Sequence, residues 1–255
     1  MSAAGPPARA TPDLGSPLRV HRARRIGELE QVSELQATIW GSREMAAPSS
    51  LLKAISEAGG IVLLALSGSR PVGFAFGFTG RDREGRLYHR SHAAGVLPEL
   101  RDAGVGRALK LAQRRWARAQ GLDRMVWTFD PSQLRNAHFN LHRLGALARR
   151  YHPDYYGTRD DSLNQGRPTD RLVVEWFLEP GPSARLAALR RGGGRALPVP
   201  AGLLAAGPPP RADHLRLRWL LRRALAGGLT IVDYDRGRRC YVAVELPSEF
   251  PPPAE

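Results

Sequence analysis

The stretch that most constrains this chain is residues 86–130, which reads as a strand, a tight glycine turn, a helix and a second strand. Residues 87–96 are mixed in polarity but long enough for a strand. Pro98 ends them, because proline cannot continue a central ladder. Gly104 and Gly106 follow, and then Val105, Ala108, Leu109, Ala112 and Trp116 recur at helical spacing. Gly121 stops that helix. Residues 125–129 form a short apolar strand closed by Asp130-Pro131.

This layout has a chemical consequence. A helix N-terminus carries unpaired backbone N–H groups and a partial positive charge, so it attracts anions. Glycines let the backbone approach a phosphate closely, since no Cβ stands in the way. The local pattern is Arg101-x-x-Gly104-x-Gly106, a pyrophosphate cradle at the mouth of a helix.

Val96-Leu-Pro-Glu99 followed by Arg101-Asp-Ala-Gly104-Val-Gly106 resembles the signature of the GNAT superfamily of N-acetyltransferases. The family's looser second motif is an Asn followed by a helix ending in a Leu-Gly-Phe-like turn. Here it reads Asn136-Ala-His-Phe-Asn140-Leu-His-Arg-Leu144-Gly-Ala146, with Ala146 in place of the usual aromatic. The resemblance covers roughly residues 18–178. It implies an α/β (α+β) GNAT fold with a mixed central sheet of about six to seven strands, strands 4 and 5 splayed apart, and flanking helices.

At 255 residues the chain is long enough for one domain plus an appendage. Its net charge of +14 comes almost wholly from arginine, since Lys53 and Lys110 are the only lysines. Three readings compete for that charge: nucleic-acid binding, attraction of an acidic ligand such as coenzyme A, and a composition habit. The arginines are spread along the chain without interleaved aromatics, which argues against nucleic acid. Cys240 is the only cysteine, so there is no intrachain disulfide and no Cys-based metal site. No apolar run spans a bilayer and the N-terminus lacks a signal-peptide core. A cytoplasmic location fits.

Residues 1–17 are Pro- and Gly-punctuated and read as a disordered tail. Residues 18–180 are the acyltransferase domain. Within it, residues 18–22 are a first strand and residues 26–40 a helix ended by Gly41. Residues 45–58 form a second helix, and 61–66 and 72–78 are strands. Trp40 either lines the acceptor pocket or packs in the core. Phe74, Phe76 and Phe78 share one strand face, and Gly73, Ala75 and Gly77 leave the other open to close packing. Residues 147–157 read as a strand or irregular edge, 158–170 as a long loop, and 171–178 as a strand. Residues 181–212 are Pro-, Gly- and Ala-rich and read as a linker. Residues 213–246 form a small helix-hairpin appendage, with Asp213 as its N-cap. It is too small to stand alone and should dock on the core or on a second subunit. Residues 247–255 read as a second disordered tail.

The resemblance also assigns roles. The backbone N–H groups of Arg101, Asp102, Ala103, Gly104, Val105, Gly106 and Arg107 would hold the pyrophosphate of acetyl-CoA or another acyl-CoA, with the amide of Arg101 mattering more than its side chain. The N–H of Val96 or Ala94 would polarise the thioester carbonyl, a contribution of about 3 kcal/mol for a good oxyanion donor. Asn136 either contacts the pantetheine arm or the acceptor, or caps a helix. By strand alternation Arg90, His92, Ala94 and Val96 lie on one face. A glutamate of some relatives falls at Arg90, which cannot serve as a base. His92 is then the candidate general base, or a structural histidine. Arg90, with Trp127 and Phe129, would contact the substrate, and Arg90 could take a carboxylate bidentately. The family's acid tyrosine falls at Leu141, which cannot donate. That role is vacant, or passes to Tyr156, with Tyr155 and His142 as alternatives. No metal is expected, since His138 and His142 have no carboxylate nearby in sequence. The implied function is acyl-CoA-dependent N-acyl transfer, acetyl by default, to the amine of a small molecule by direct attack in a ternary complex. N-succinyl transfer to an amino-acid-like amine and non-catalytic acyl-CoA binding are the alternatives. A homodimer stays open.

Overall fold

The computed structural model describes residues 13–157, 168–205, 210–248 and 250–253. In chain order the elements are β1 (Leu18–Arg22), α1 (Ile26–Trp40), α2 (Ser49–Glu57), β2 (Ile61–Ser67), β3 (Arg70–Arg81), β4 (Leu87–Val96), α3 (Val105–Ala119) and β5 (Arg124–Phe129). Then come α4 (Leu134–Ala137), continued by a π-helical turn His138–Arg143, β6 (Leu147–His152), β7 (Arg171–Phe177) and α5 (Pro180–Arg191). The chain finishes with β8 (Arg195–Pro198), α6 (Arg211–Ala226), β9 (Leu229–Asp235) and β10 (Cys240–Glu245). Two units divide it, Met1–Gly77 with Ala93–Gln113 and Phe78–His92 with Arg114–Glu255.

In the first unit β1, β2 and β3 form an antiparallel meander, with Leu18 opposite Ser67 and Ile61 opposite Gly77. All seven residues of β2 are buried, in keeping with a strand that is apolar from Ile61 to Leu66 rather than alternating. Helix α1 starts where the Glu28 carboxylate accepts from the N–H groups of Arg24 and Arg25, at 2.9 and 3.1 Å. It stops at Gly41, whose φ of 75° ends the helix in the left-handed region. The two faces of β3 divide as period two demands. Phe74 and Phe76 stack on one face, with ring centroids 6.2 Å apart. On the other, a Cβ at Gly73 would stand 2.9 Å from the Gly95 carbonyl and 3.0 Å from the Val105 side chain. The missing side chain lets the start of α3 close on the strand. Trp40 meets Phe74 edge-on at 5.7 Å, which favours the core reading of that tryptophan.

The second unit holds a mixed sheet in the order β4-β5-β7-β6-β9-β10-β8. Strands β4 and β5 run parallel, with His89 opposite Met125 and Arg90 opposite Val126. The pairs from β5–β7 to β10–β8 are antiparallel.

The C-terminal third differs from the sequence expectation in several ways. Strands β1–β7 agree with the six to seven expected of the central sheet, and β9, β10 and β8 continue it beyond β6 instead of forming a separate appendage. Strand β6 is therefore interior, between β7 and β9, and not an edge. The segment read as a linker contains α5 and β8; Leu186 and Leu197 are buried there. Asp213 does not cap α6. It lies inside the first turn, and its carboxylate accepts from the Gly202 N–H at 2.8 Å. The final segment is packed at Phe250, which is buried in a cluster with Leu147, Phe177 and Val242. Proline content hid this, since a proline run without backbone donors can still dock through its carbonyls and one aromatic. Ser67 likewise donates to the carbonyls of Leu14 and Ser16, so part of the expected N-terminal tail is tied down.

Candidate functional site

In the first unit the site begins where β4 ends. A short 3-10 turn, Pro98–Leu100, carries the chain to Arg101, whose N–H donates to the Pro98 carbonyl at 3.3 Å. The Ala103 N–H donates to the Leu100 carbonyl at 3.3 Å. These two amides are therefore already engaged in the turn, contrary to the expectation that the Arg101 amide serves the ligand. Asp102 and Gly104 both have positive φ, 73° and 86°. Aspartate is one of the few non-glycine residues that tolerate this region, and glycine enters it without steric cost. Successive turns of this kind aim N–H groups to one side and form an anion-binding concavity. A Cβ on Gly104 would meet no atom within 4 Å, so the space over the loop is open.

The first helical bond of α3 is from the Ala108 N–H to the Gly104 carbonyl at 3.0 Å. The N–H groups of Val105, Gly106 and Arg107 consequently have no acceptor within the helix, as at any helix start. Arg101, Asp102, Gly104 and Arg107 are exposed around them. An anionic pyrophosphate fits this set: helix-start amides, two left-handed turns, and arginine side chains at the rim. Upstream on β4, Ala94 is exposed and Val96 half-buried. A Cβ at Gly95 would stand 2.7 Å from the Phe74 ring, so only glycine lets the strand lie on that aromatic.

In the second unit β4 presents Arg90 and His92 on its more open face, while Tyr88, His89 and Ser91 are buried. His89 lies edge-on to Trp116 at 5.0 Å. His92 lies 5.9 Å from the Phe78 ring. Partial withdrawal from solvent, and then repulsion from the Arg90 guanidinium, push the His92 imidazole below its ordinary value. Although its edge is exposed, enough protein surrounds the ring for desolvation to dominate.

Arg90 Nη2 donates to the Tyr155 hydroxyl at 3.3 Å. The structure thus brings Tyr155, not Tyr156, to the open face of β4. Tyr156 packs edge-on against Tyr155 at 4.7 Å and lies 5.0 Å from the Arg171 guanidinium. Trp127 and Phe129 are buried, and the Trp127 indole N–H donates to Asn140 at 3.1 Å. Both belong to the core of β5, contrary to the expected contact with substrate. Asn136 is exposed within α4, whose N-cap is Gln133, so the capping alternative is excluded. Leu141 is fully buried. The exposed His142 ring pairs with Asp233 at 3.1 Å and stacks on His138 at 4.6 Å. Among the described residues no group of three His, Cys, Asp or Glu side chains could hold a metal ion.

Sequence reasoning missed three residues. Asn140 was within the second motif but was not separated from Asn136. Asp170 and Arg218 gave no local signal. Asp170 is fully buried, accepts from the Tyr151 hydroxyl, and is gripped by Arg218 at 2.6 and 2.8 Å. Burial alone would raise this carboxyl, but the hydrogen bonds from Arg218, Tyr151 and the Asp154 N–H outweigh it and hold the group below the usual carboxylate range. The remainder of the expected long loop, residues 158–167, lies outside the described residues.

Residues 29–146 match the model of the acetyltransferase (GNAT) family. Solved structures share the fold over nearly their full length. The structure of yncA from Salmonella typhimurium, determined with its cofactor acetyl-CoA, is 19% identical. It aligns over 64% of this chain and 95% of its own, with a TM-score of 0.51. The ribosomal-protein-alanine N-acetyltransferase of Brucella melitensis is 18% identical, over 62% of this chain and 99% of its own, with a TM-score of 0.52. Arabidopsis thaliana Naa50, solved in complex with the bisubstrate analogue CoA-Ac-MVNAL, is 18% identical over 62% and 97%, with a TM-score of 0.50. No curated protein matches the chain in sequence. Among the described residues no helix is long and apolar enough to cross a membrane.

Proposed function

We propose that this chain, whose residues 29–146 match the acetyltransferase (GNAT) family model, is an acyltransferase that moves an acetyl group from acetyl-CoA to a primary amine by direct attack. The observation that carries the reading is the loop at residues 101–107, with left-handed turns at Asp102 and Gly104 opening directly onto the start of α3.

Bound acetyl-CoA supplies an activated thioester, whose carbonyl carbon accepts the amine nitrogen while its sulfur leaves as the thiolate. The helix-start amides of Val105, Gly106 and Arg107 hold the pyrophosphate, and the rim arginines add charge. The N–H of Ala94 or Val96 donates to the carbonyl oxygen as negative charge grows there. An ammonium cannot attack, so a proton must leave first. His92 takes it, because an imidazole held below its ordinary value is unprotonated at neutral pH. Tyr155 replaces Tyr156 as the candidate donor to the leaving sulfur. Its oxygen accepts from Arg90, which leaves its own proton to give.

One observation favours a second reading, a non-catalytic acyl-CoA sensor. Leu141 stands where relatives carry the acid tyrosine, and it is sealed in the core. Turnover separates the two. The assay is thiol release from acetyl-CoA and succinyl-CoA with spermidine, L-lysine, L-glutamate and an alanyl pentapeptide, the last chosen because one fold relative is a ribosomal-protein-alanine N-acetyltransferase and another was solved with the bisubstrate analogue CoA-Ac-MVNAL. Thermal unfolding gives the companion measurement. Acetyl-CoA at 100 times its dissociation constant should add about 2.7 kcal/mol, a shift of several degrees, and Gly104→Asp should abolish the shift by putting a carboxylate at the anion site. Binding without thiol release would favour the sensor. A larger shift with succinyl-CoA would redirect the acyl group, and no shift with either would end the acyl-CoA reading.

A further inference from the structure

Helix α6 lies outside the segment that matches the family, yet one of its side chains reaches the residues that hold the turn carrying Tyr155. Arg218 grips Asp170 with both arms of its guanidinium, Nε to Oδ2 at 2.8 Å and Nη2 to Oδ1 at 2.6 Å. Nη2 also reaches the Asp154 carboxylate at 3.2 Å. Asp170 in turn accepts from the Asp154 N–H at 3.1 Å and from the Tyr151 hydroxyl. Its neighbour Thr169 completes the clamp: the Thr169 carbonyl accepts from the Tyr155 N–H at 3.1 Å, and its hydroxyl accepts from the Tyr156 N–H at 2.9 Å.

Every backbone N–H from Asp154 to Tyr156 is therefore held by Thr169 or Asp170, and Arg218 orients Asp170. The product of this chain of contacts is the Tyr155 hydroxyl at 3.3 Å from Arg90, beside His92 on β4. A fully buried carboxylate needs a cation with matched geometry, and a bidentate guanidinium sets direction as well as charge. The turn also contains Asp154 at φ 48°, a left-handed conformation that aspartate tolerates and that the clamp holds through its N–H.

We propose that Arg218 is a positioning residue for the proton donor: through Asp170 it sets the turn at residues 154–156, and so the place of Tyr155 against Arg90. The C-terminal helix is then a working part of the proton-donating side of the reaction. This rests on the acyltransferase reading, and the test separates the two. Arg218→Lys keeps the charge and loses the fork. Arg218→Leu combined with Asp170→Leu removes both charges together, so no carboxylate is left buried alone if Arg218→Ala fails to fold.

The first readout is the 19F resonance of Tyr155 in the full chain labelled with 3-fluorotyrosine, assigned with Tyr155→Phe. It should move in both variants and return neither to the parent position nor to that of a solvent-exposed tyrosine in unfolded protein. The second is kinetic, with whichever of spermidine, L-lysine, L-glutamate or the alanyl pentapeptide the parent acetylates. The kcat should fall about tenfold, in line with a small misplacement of a proton donor, while the KM for acetyl-CoA and its thermal shift stay unchanged. Folded variants with the parent Tyr155 resonance would overturn the proposal, as would a parent kcat with a raised KM for acetyl-CoA. If the parent releases no thiol with any amine, the acyltransferase reading fails, and the Tyr155 resonance still decides whether Arg218 positions the turn.

Discussion

Two titratable side chains make the residue-scale chemistry testable through pH. His92 is held below the ordinary imidazole value of 6.5 by desolvation and by Arg90. A base works when unprotonated, so kcat/KM should rise with pH through an inflection below that value. His92→Gln should lose this acid limb, and an unchanged profile in that variant would remove His92 from the reaction. Lys110 offers a stability test. It is 4% exposed, and desolvation lowers its ammonium from 10.5 to about 7. Between those values the unfolded chain keeps a proton that the folded chain has released. Folding stability should therefore rise with pH across that window, by about 1.4 kcal/mol per unit. Below about 7 both states are protonated and the full penalty applies. Lys110→Met should flatten this slope in denaturant titrations at pH 7, 8 and 9 and raise the midpoint at pH 7. A slope that persists would assign it to other groups.

At the scale of elements, α4 and its π-helical turn separate the two asparagines of the second motif. Asn136 occupies the expected place after the β5 strand, but the helix turns it outward. Asn140, one turn on, is buried and accepts the only N–H of the Trp127 indole. Asn140→Ala would strand that donor in the core and should cost about 1–3 kcal/mol. Asn136→Ala should stay within about 0.5 kcal/mol. Urea midpoints for the pair decide it, and the reverse order would assign the structural role to Asn136. Strand β4 behaved more simply. Its alternation put Arg90, His92, Ala94 and Val96 on the open face as period two requires, because nothing longer in range than the strand itself sets that pattern.

For the molecule as a whole, the arginine excess is partly structural. Arg124 is 2% exposed and donates to the Pro252 carbonyl at 3.0 Å. Arg149 holds Glu175 bidentately, at 2.7 and 3.0 Å, and donates to the Pro251 carbonyl at 2.5 Å. The last residues of the chain thus satisfy buried guanidinium groups, and Phe250 packs at 6.0 Å from Phe177. Ending the chain at Leu246 should destabilise it by about 3–5 kcal/mol, the range for losing a buried aromatic, and so lower the unfolding midpoint markedly. A truncated chain as stable as the parent would return these residues to the status of a loose tail. Net charge alone had suggested surface roles for arginine, and it could not reveal which carbonyls and carboxylates would be folded against it.

What the sequence determined by itself was local: the strand, the glycine loop at residues 101–107, the helix after it, and the open face of β4. Each follows from neighbours a few residues apart, through φ preference, period and helix-start donors, and those forces act wherever the chain goes next. Only the tertiary structure decided that Asn140 rather than Asn136 is buried, that Tyr155 rather than Tyr156 meets Arg90, and that Arg218 holds Asp170. Those outcomes depend on pairs up to 65 residues apart. A buried carboxylate draws whichever cation the fold delivers, and no local pattern records which one that is.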